Sequence, residues 1–299
     1  MKVLIADSLS NNFIEKLKNL GLEVSDFSSV PKEELINRVK GYDFMFVRSA
    51  TKVQKDLIER MDNMKLIIRG GVGLDNIDVS YAEKKGIKVV NTPAAASISV
   101  AELVLAHIFS LSRNIIRGTT GVREGKWEKG TLAGVELYGK TLGVIGLGRI
   151  GKELAKRAEG LGMKVIGHDP YIKVENIKMI GFDDLLRNSD YISIHTSLTE
   201  ETRHMIGEKE FSKMKPGAIL INCARGGIID EKALLEALKN SKIAGAGLDV
   251  FEIEPPKISE LMSLSNVTFT PHLGASTKEA KDRIGDEVVK IISEAITPP

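Results

Sequence analysis

Three short stretches in the second half of the chain carry side chains that together could move a proton and hold a carboxylate. One contains Arg225 followed by two glycines, the next contains Glu252 and Glu254, and the third contains His272. Imidazole titrates near neutral pH, so a histidine can accept a hydroxyl proton and return it, while a carboxylate on its other ring nitrogen orients it. An arginine offers paired donors to a carboxylate and can polarise a carbonyl oxygen. These residue types suit the interconversion of an alcohol and a ketone, provided that a cofactor carries the hydride.

A glycine-rich stretch upstream predicts that carrier. Gly146, Gly148 and Gly151 have the GxGxxG spacing between an apolar run at 142–145 and a helical pattern. In this context the first glycine permits a tight turn, the second lets backbone N–H groups approach a pyrophosphate, and the third allows close helix packing. Asp169, 23 residues after Gly146, would bind both ribose hydroxyls of an adenosine and repel a 2′-phosphate. The stretch therefore predicts NAD rather than NADP.

Composition limits the other partners. The chain has 299 residues, enough for two domains, and its 42 basic and 40 acidic residues are interspersed, without the basic arm typical of nucleic-acid binding. No apolar run reaches the length of a membrane span, and the N-terminal residues 1–7 are typical of a strand rather than a signal peptide. Cys223 is the one cysteine, which excludes an internal disulfide and a cysteine-based zinc site. We expect a cytoplasmic protein without a metal site and without nucleic-acid or membrane partners.

Strand-like and helix-like runs alternate along the chain in two series, which is typical of α/β domains with parallel sheets. The first series has strands near 2–7, 23–27, 44–49, 66–70 and 88–92. The second begins at Thr141 and continues near 165–169, 191–196, 218–224, 245–250 and 267–270. A long helix is expected over 97–117, and a final helix over about 277–295. We place one domain at 1–96 and 273–299, and the other at 97–272.

The motifs resemble the D-isomer-specific 2-hydroxyacid dehydrogenase family over nearly the whole chain, and within it the short-form D-3-phosphoglycerate dehydrogenases. The resemblance implies an α/β fold with two doubly wound parallel-sheet domains, a flavodoxin-like substrate domain and a Rossmann NAD-binding domain, separated by an interdomain cleft. It also implies catalytic roles at three matching positions. Arg225 would bind the substrate, His272 would be the general acid/base, and Glu254 rather than Glu252 would be its partner.

The resemblance extends to the residues that would line the ligands. Arg149 and Ile150 would supply backbone N–H groups to the pyrophosphate. Other cofactor-binding positions would be Gly146, Gly148, Gly151, Asp169, Thr196, Cys223, Ala224, Arg225, Asp249, His272, Gly274 and Ala275. The substrate would meet Arg225 and, in the first domain, Arg48, Ser49, Gly71, Val72 and Gly73. The glycines there would let backbone N–H groups converge on a carboxylate, and Arg48 would point to a phosphorylated substrate.

Several of these residues have simpler interpretations. A strand-end arginine such as Arg48 is as often structural as ligand-binding. Cys223 is expected to be a packed side chain whose backbone meets the cofactor, not a nucleophile. His107 lies in an apolar helical pattern and is expected to be packed, whereas His204 lies among polar residues and is expected to be exposed. His168 and His195 would neighbour the cofactor without catalysing.

The sequence predicts NAD-dependent oxidation of D-3-phosphoglycerate to 3-phosphohydroxypyruvate, the entry step of serine biosynthesis. One alternative is a glyoxylate or hydroxypyruvate reductase, or another D-2-hydroxyacid dehydrogenase. The other is of a different class, an NADH-sensing, corepressor-like interaction protein. Because family members are usually dimers, a homodimer is expected, with Ser97–Val135 and its tryptophan Trp127 as the interface.

Overall fold

The computed structural model describes residues 1–297, which form two compact units. One unit consists of Met1–Ala96 together with the segment from Ala275 onward, and the other is Ser97–Gly274. The second boundary lies two residues later than the sequence placed it, because the turn after His272 is tied to the second unit. In that turn the amide of Gly274 donates a hydrogen bond of 2.8 Å to Asp249.

The first unit contains a five-stranded parallel sheet among its described residues. Its order β2-β1-β3-β4-β5 is the flavodoxin-like order that the resemblance implied. The central strand β3 has the sequence Phe-Met-Phe-Val and is buried on both faces, as a parallel sheet requires. The strands are β1 (Lys2–Ile5), β2 (Glu23–Asp26), β3 (Phe44–Val47), β4 (Leu66–Arg69) and β5 (Lys88–Asn91).

Helices cover the first sheet, and the last of them comes from the C-terminal segment. Ile284, Val288 and Ile292 repeat at a spacing of four residues and are fully buried in a core with Phe13 and Phe46. A helix with such an apolar stripe is stabilised by packing that stripe against a sheet. The helices are α1 (Asn11–Asn19), α2 (Lys32–Arg38), α3 (Lys55–Ile58), α4 (Val79–Lys84) and, from the end of the chain, α11 (Lys278–Ile296).

The second unit contains a parallel sheet of seven strands among the described residues, in the order β12-β11-β10-β9-β6-β7-β8. The chain order reverses between β6 and β9, the crevice where open α/β sheets bind ligands. The strands are β6 (Thr141–Ile145), β7 (Lys164–His168), β8 (Lys178–Met179), β9 (Tyr191–Ile194), β10 (Ile219–Asn222), β11 (Gly245–Leu248) and β12 (Val267–Phe269). The predicted α/β class with two parallel sheets is confirmed.

The helices of the second unit include one that the sequence did not divide. The expected helix over 97–117 breaks at Asn114, whose φ of +52° is left-handed and whose side chain donates to two carbonyls of the 132–133 segment. The helices are α5 (Ser97–Ser112), α6 (Ile115–Arg123), α7 (Arg149–Gly160), α8 (Phe182–Asn188), α9 (Glu208–Phe211) and α10 (Glu231–Lys239), with a 3₁₀ turn at Glu260–Ser263.

Over residues 1–297 no single helix is long and apolar enough to cross a membrane. Only α5 and α6 taken together pass that test, and they are bent by 61° at their break.

Candidate active site

The glycine turn lies between β6 and α7, as the sequence predicts, and each glycine has a separate steric reason. Gly146 has a φ of +91°, and a Cβ there would lie 2.7 Å from the carbonyl oxygen of His195. A Cβ on Gly151 would lie 2.2 Å from the carbonyl oxygen of Gly146, so α7 packs directly on the turn. Around Gly148 there is open space, and this residue precedes the first residue of α7 without a capping side chain. The first amides of this 12-residue helix are therefore without a capping side chain and free to bind an anion.

The residues around this turn fit a dinucleotide. The hydroxyl oxygen of Thr196 is buried and has no hydrogen-bond partner among the described residues. A buried hydroxyl without a partner is costly, so a ligand that supplies one is favoured there. Together with the open space at Gly148, this makes the β6–β9 crevice a site that a pyrophosphate and nicotinamide can occupy.

Asp169 follows β7, and backbone donors hold its carboxylate. One oxygen accepts from the amide of Leu147 at 2.8 Å, and the other accepts from the amides of Tyr171 and Ile172 at 2.9 Å. Partial burial raises the pKa of Asp169, but these three hydrogen bonds lower it, and the net direction is below its usual value. The ionised carboxylate keeps acceptor capacity for ribose hydroxyls and repels a 2′-phosphate.

His272 and Glu254 meet beyond the carboxyl ends of β11 and β12. The distance from His272 Nδ1 to Glu254 Oε2 is 2.8 Å, and the two side chains are 37% and 38% exposed. The other oxygen of Glu254 accepts from the amide of Phe251 at 3.2 Å. Burial raises the pKa of Glu254, but the hydrogen bond and charge of His272 and the charge of Arg225 bring it below its ordinary value. An ionised glutamate that orients an accessible imidazole is a suitable acid/base pair.

The backbone that carries His272 is held by Asp249. His272 has a left-handed φ of +54°, which costs energy for a residue other than glycine. Its amide donates to the carbonyl of Asp249 at 2.9 Å, and the amides of Leu273 and Gly274 donate to the two Asp249 carboxylate oxygens at 2.6 and 2.8 Å. Asp249, expected to line the cofactor, is 1% exposed. The structure therefore gives its side chain a place beneath the His272 turn, not a ligand-facing one.

Arg225 follows β10 and lies near the Glu254 loop because of a glycine. A Cβ on Gly226 would lie 1.7 Å from the carbonyl oxygen of Phe251, so this backbone packs directly against the loop that carries Glu254. The carbonyl of Arg225 accepts from the Asn222 side chain at 2.8 Å, which fixes the turn. A guanidinium, a carboxylate and an imidazole thus share one sheet edge.

The structure also separates Glu254, which the resemblance favoured as the histidine partner, from Glu252. Glu252 lies 3.1 Å from Nε2 of His204, and Glu254 lies against His272. Each histidine therefore has its own glutamate, and Glu254 is the one at the strand ends. His204 is partly exposed, in line with its sequence interpretation.

Two further expected neighbours of the cofactor are uncharged: Cys223 is buried and His195 is partly buried. Burial raises the pKa of the Cys223 thiol well above its usual value, so this cysteine is a packed thiol rather than a nucleophile. Burial lowers the pKa of His195 to about 4, and its Nε2 lies 2.8 Å from the hydroxyl of Ser193. Both residues therefore contribute shape and backbone groups to the crevice and no charge.

In the first unit, Arg48 and Ser49 follow β3 at the point where the strand order reverses. The amide of Arg48 donates to Asp7 at 2.6 Å, and the carbonyls of Arg48 and Thr51 accept from the side chain of Asn76. The Arg48 Nε is buried and has no hydrogen-bond partner among the described residues. Burial lowers the pKa of Arg48 although the charge of Asp7 raises it. This loop therefore holds a desolvated cation with unused donor capacity.

The glycine turn after β4 corrects one expectation and adds a residue. The amide of Gly71 donates to the buried hydroxyl of Thr92 at 2.8 Å, so it is not available to a substrate carboxylate. The amides of Val72 and Gly73 make no hydrogen bond with other residues of the described chain.

The sequence analysis missed Arg69. It ends β4 beside the Arg48 strand, and its guanidinium would lie 1.7 Å from a Cβ at position 71. The sequence carried a signal for Arg69, because this arginine comes directly after an apolar run, as Arg48 does.

Comparison with known proteins agrees with this geometry. Residues 105–274 match the family model of the D-isomer specific 2-hydroxyacid dehydrogenase, NAD binding domain. The chain belongs to this family. The matched region contains the glycine turn and the Arg225, Glu254 and His272 positions, and the prediction of an NAD-binding domain is confirmed.

Two of the similar proteins carry different enzyme names. The chain is 48% identical to the D-3-phosphoglycerate dehydrogenase of Methanocaldococcus jannaschii, with 99% of this chain and 57% of that protein covered. It is 49% identical to the hydroxypyruvate reductase of Thermotoga maritima, with 97% of both chains covered. The chain thus spans little more than half of the first relative and nearly all of the second.

A solved structure shares the fold. The D-lactate dehydrogenase of Aquifex aeolicus, complexed with NAD and lactic acid, is 34% identical with a TM-score of 0.85, and the match covers 99% of this chain and 95% of that one. The family resemblance stated from the sequence is therefore confirmed.

Proposed function

We propose that this chain is an NAD-dependent dehydrogenase that interconverts D-3-phosphoglycerate and 3-phosphohydroxypyruvate. The observation that carries the dehydrogenase assignment is the His272–Glu254 pair, 2.8 Å apart, on the same sheet edge as the glycine turn. A proton-transferring group and a dinucleotide crevice on one edge are what oxidation of a secondary alcohol needs.

The proton moves through the far nitrogen of His272. Because Nδ1 faces Glu254, Nε2 is the nitrogen that takes the proton from the substrate hydroxyl during oxidation and returns it during reduction. The ionised Glu254 stabilises the imidazolium that forms, and the Asp249-held turn fixes the direction of the ring.

Arg225 binds the substrate carboxylate with paired donors and stabilises the negative charge that develops on the carbonyl oxygen. NAD, when bound by the glycine turn, Thr196 and Asp169, would accept the hydride. We assign Gly274 and Ala275, which follow His272 in the sequence, to the same ligand. The protein contributes placement, charge and exclusion of water.

The phosphate end of the substrate is assigned to Arg48, with Arg69 beside it. The support is the buried Nε of Arg48, which a phosphate oxygen would satisfy, and the position of both arginines at the ends of neighbouring strands. Val72 and Gly73 would offer amides to the carboxylate end. A hydroxy acid without a phosphate would leave the desolvated guanidinium of Arg48 uncompensated.

Hydroxypyruvate reduction is the second candidate. It is favoured by one observation, the 49% identity to a hydroxypyruvate reductase that the chain matches over 97% of both lengths. That reaction would use the same His272, Glu254 and Arg225, without a role for Arg48 in phosphate binding.

Steady-state reduction of 3-phosphohydroxypyruvate, hydroxypyruvate and glyoxylate with NADH separates the two candidates. We expect the wild type to prefer the phosphorylated substrate. Arg48→Ala should lower kcat/KM for it by about 10- to 100-fold, the value of one hydrogen bond to a charged group. The same variant should change kcat/KM for the other substrates by less than about threefold.

Arg38→Ala is the matched control, because Arg38 is an exposed arginine of the same unit paired with Glu34. It should leave all three substrates unaffected. Equal use of hydroxypyruvate and its phosphorylated form by the wild type would establish the reductase instead. No turnover of NADH with any of these substrates would exclude both dehydrogenases.

We also propose a homodimer that uses the first part of the second unit. Large apolar side chains are exposed there, including Trp127 at 84% and Val122 at 60%. Such a concentration of exposed apolar groups is typical of an interface. A second copy of this chain is the proposed occupant, and a particle mass equal to one chain in solution would overturn it.

The buried, unpaired Cys223 is compatible with the reducing cytoplasm, where we place the enzyme.

A further inference from the structure

His107 lies in α5, and its apolar helical pattern predicts only a packing role. Its side chain is buried, with 4% exposure, yet both ring nitrogens have partners. Nδ1 lies 2.7 Å from the hydroxyl of Thr268, and Nε2 lies 3.0 Å from the hydroxyl of Thr270. Both threonines belong to the segment that leads into the His272 turn.

The direction of these hydrogen bonds follows from Asp249. The Thr270 hydroxyl donates to Asp249 Oδ1 at 2.6 Å, and a hydroxyl has only one proton to donate. Thr270 therefore donates its one proton to Asp249. It must then accept at its oxygen, which means that Nε2 of His107 carries a hydrogen.

The protonation state of His107 determines the direction of the remaining hydrogen bond, between His107 and Thr268. Burial lowers the pKa of His107 below its usual value, although the charge of Asp249 raises it, so the ring is neutral at pH 7. A neutral imidazole has a single N–H. Since this N–H is on Nε2, Nδ1 accepts from the hydroxyl of Thr268. The hydrogen bonds all run one way, from Thr268 through His107 and Thr270 to the carboxylate of Asp249.

The neighbouring strand leaves room for this ring. A Cβ on Gly247 of β11 would lie 2.8 Å from the Cβ of His107 and 3.0 Å from its Cγ. Only glycine permits that approach. The position of the imidazole is thus fixed by backbone on one side and by two hydroxyls on the other.

We propose that His107 is a positioning residue for the acid/base turn, acting through Thr270 and Asp249 on the direction of His272. The carboxylate of Asp249 holds this turn by accepting hydrogen bonds from the amides of Leu273 and Gly274. The Thr270 hydroxyl, which His107 orients, donates the third hydrogen bond to the same carboxylate. The role in catalysis rests on the proposed function, whereas the hydrogen-bonded chain can be tested without it.

The first test measures the turn directly. Hydrogen exchange of the Leu273 and Gly274 amides is compared in the wild type, His107→Leu and Thr270→Val. We expect exchange to become about three- to tenfold faster in His107→Leu, which removes neutral hydrogen bonds to Thr268 and Thr270. Thr270→Val also removes the hydrogen bond to the Asp249 carboxylate, so exchange should become about ten- to hundredfold faster. His107→Gln, whose amide can donate to Thr270, should restore most of the protection. Ser112→Ala is the matched control, because Ser112 is also on α5 and loses a buried hydrogen bond, to Tyr191, away from this turn.

The second test separates positioning from stability. In the NADH-dependent reduction, His107→Leu and Thr270→Val should lower kcat about three- to tenfold with the KM for NADH unchanged, while Ser112→Ala lowers only the melting temperature. Thr270→Val is a near-isosteric change that keeps the test available if His107→Leu does not fold.

The ring nitrogens of His107 give a third readout, by NMR of ¹⁵N-labelled protein. A neutral ring with hydrogen on Nε2 is expected, and hydrogen on Nδ1 would overturn the proposal. Unchanged exchange at Leu273 and Gly274 in both variants would also overturn it. If the wild type turns over no 2-oxo acid, the proposed function fails, while exchange and NMR still decide whether His107 holds the turn.

Discussion

Two histidine–glutamate pairs lie close together in the second unit, and they resemble each other in every local property. His272 Nδ1 and Glu254 are 2.8 Å apart, and His204 Nε2 and Glu252 are 3.1 Å apart. The four side chains are between 35% and 44% exposed. Both histidines have a left-handed φ, of +54° and +52°. Pair geometry alone therefore does not distinguish an acid/base pair from a structural one.

The surroundings do distinguish them. The buried Asp249, at the carboxyl ends of the strands, accepts hydrogen bonds from the backbone of the His272 turn. The charge of Arg225 lowers the pKa of Glu254. Glu252 instead accepts from the amide of Glu231 at the start of α10, and its own amide donates to the Glu231 carboxylate at 2.7 Å. The second pair fastens a loop to a helix. We therefore base the proposed acid/base role on the position of the His272–Glu254 pair on the sheet, not on the geometry of the pair itself.

Replacing the two histidines should give the largest contrast. His272→Ala removes the group that transfers the proton, and general acid/base catalysis contributes about 10²- to 10⁴-fold. We expect kcat to fall within that range, with NADH binding measured by fluorescence titration nearly unchanged. His204→Ala should keep kcat within about twofold, because an exposed pair contributes little. Comparable losses in the two variants would remove the distinction between the pairs.

The sequence predicted the elements that local pattern controls. Strand-like runs placed the strands of both sheets except the two-residue β8, and the GxGxxG spacing placed the turn before α7, since steric demands at Gly146 and Gly151 are local. The histidine partner came from the family resemblance, which favoured Glu254. Local pattern does not separate Glu252 from Glu254, because only one residue lies between them, whereas in the structure Glu254 is the one against His272.

Features that depend on contacts distant in sequence were missed. The hydrogen bonds of His107 join it to residues 161 and 163 positions later, so its helical pattern could indicate only a packed side chain. The amide of Gly71 is used by Thr92 on the next strand, which no glycine pattern reveals. The break at Asn114 likewise needs the carbonyls near residue 132.

A third histidine sharpens the comparison because it is partly buried and has no carboxylate partner among the described residues. Burial lowers the pKa of His195 from 6.5 to about 4. The unfolded chain therefore binds a proton as pH falls below 6.5, whereas the folded chain does not until about pH 4. The free energy of unfolding should fall over this window by roughly 3 kcal/mol on account of His195.

Denaturant unfolding of the wild type and His195→Gln between pH 7 and 4 measures that contribution as a difference. The variant should lose less stability on acidification than the wild type by roughly 3 kcal/mol. His204→Gln, a change in an exposed pair, should retain the wild-type slope. Parallel curves for the wild type and His195→Gln would show that His195 takes up a proton in the folded state as readily as in the unfolded chain.

The most specific test of the comparison is Glu254→Gln, because it removes a charge and keeps the shape of the side chain. Glu254→Gln can still hydrogen-bond to His272 but no longer stabilises the imidazolium. We expect kcat to fall by about tenfold to hundredfold, the value of a hydrogen bond to a charged group. Glu252→Gln, the same change two residues earlier, can still accept from Glu231 and should stay within about twofold. Equal losses in the two variants would mean that both pairs take part in proton transfer. An unaffected Glu254→Gln would mean that the charge of Glu254 contributes nothing to catalysis and that the Asp249-held turn alone orients the His272 ring.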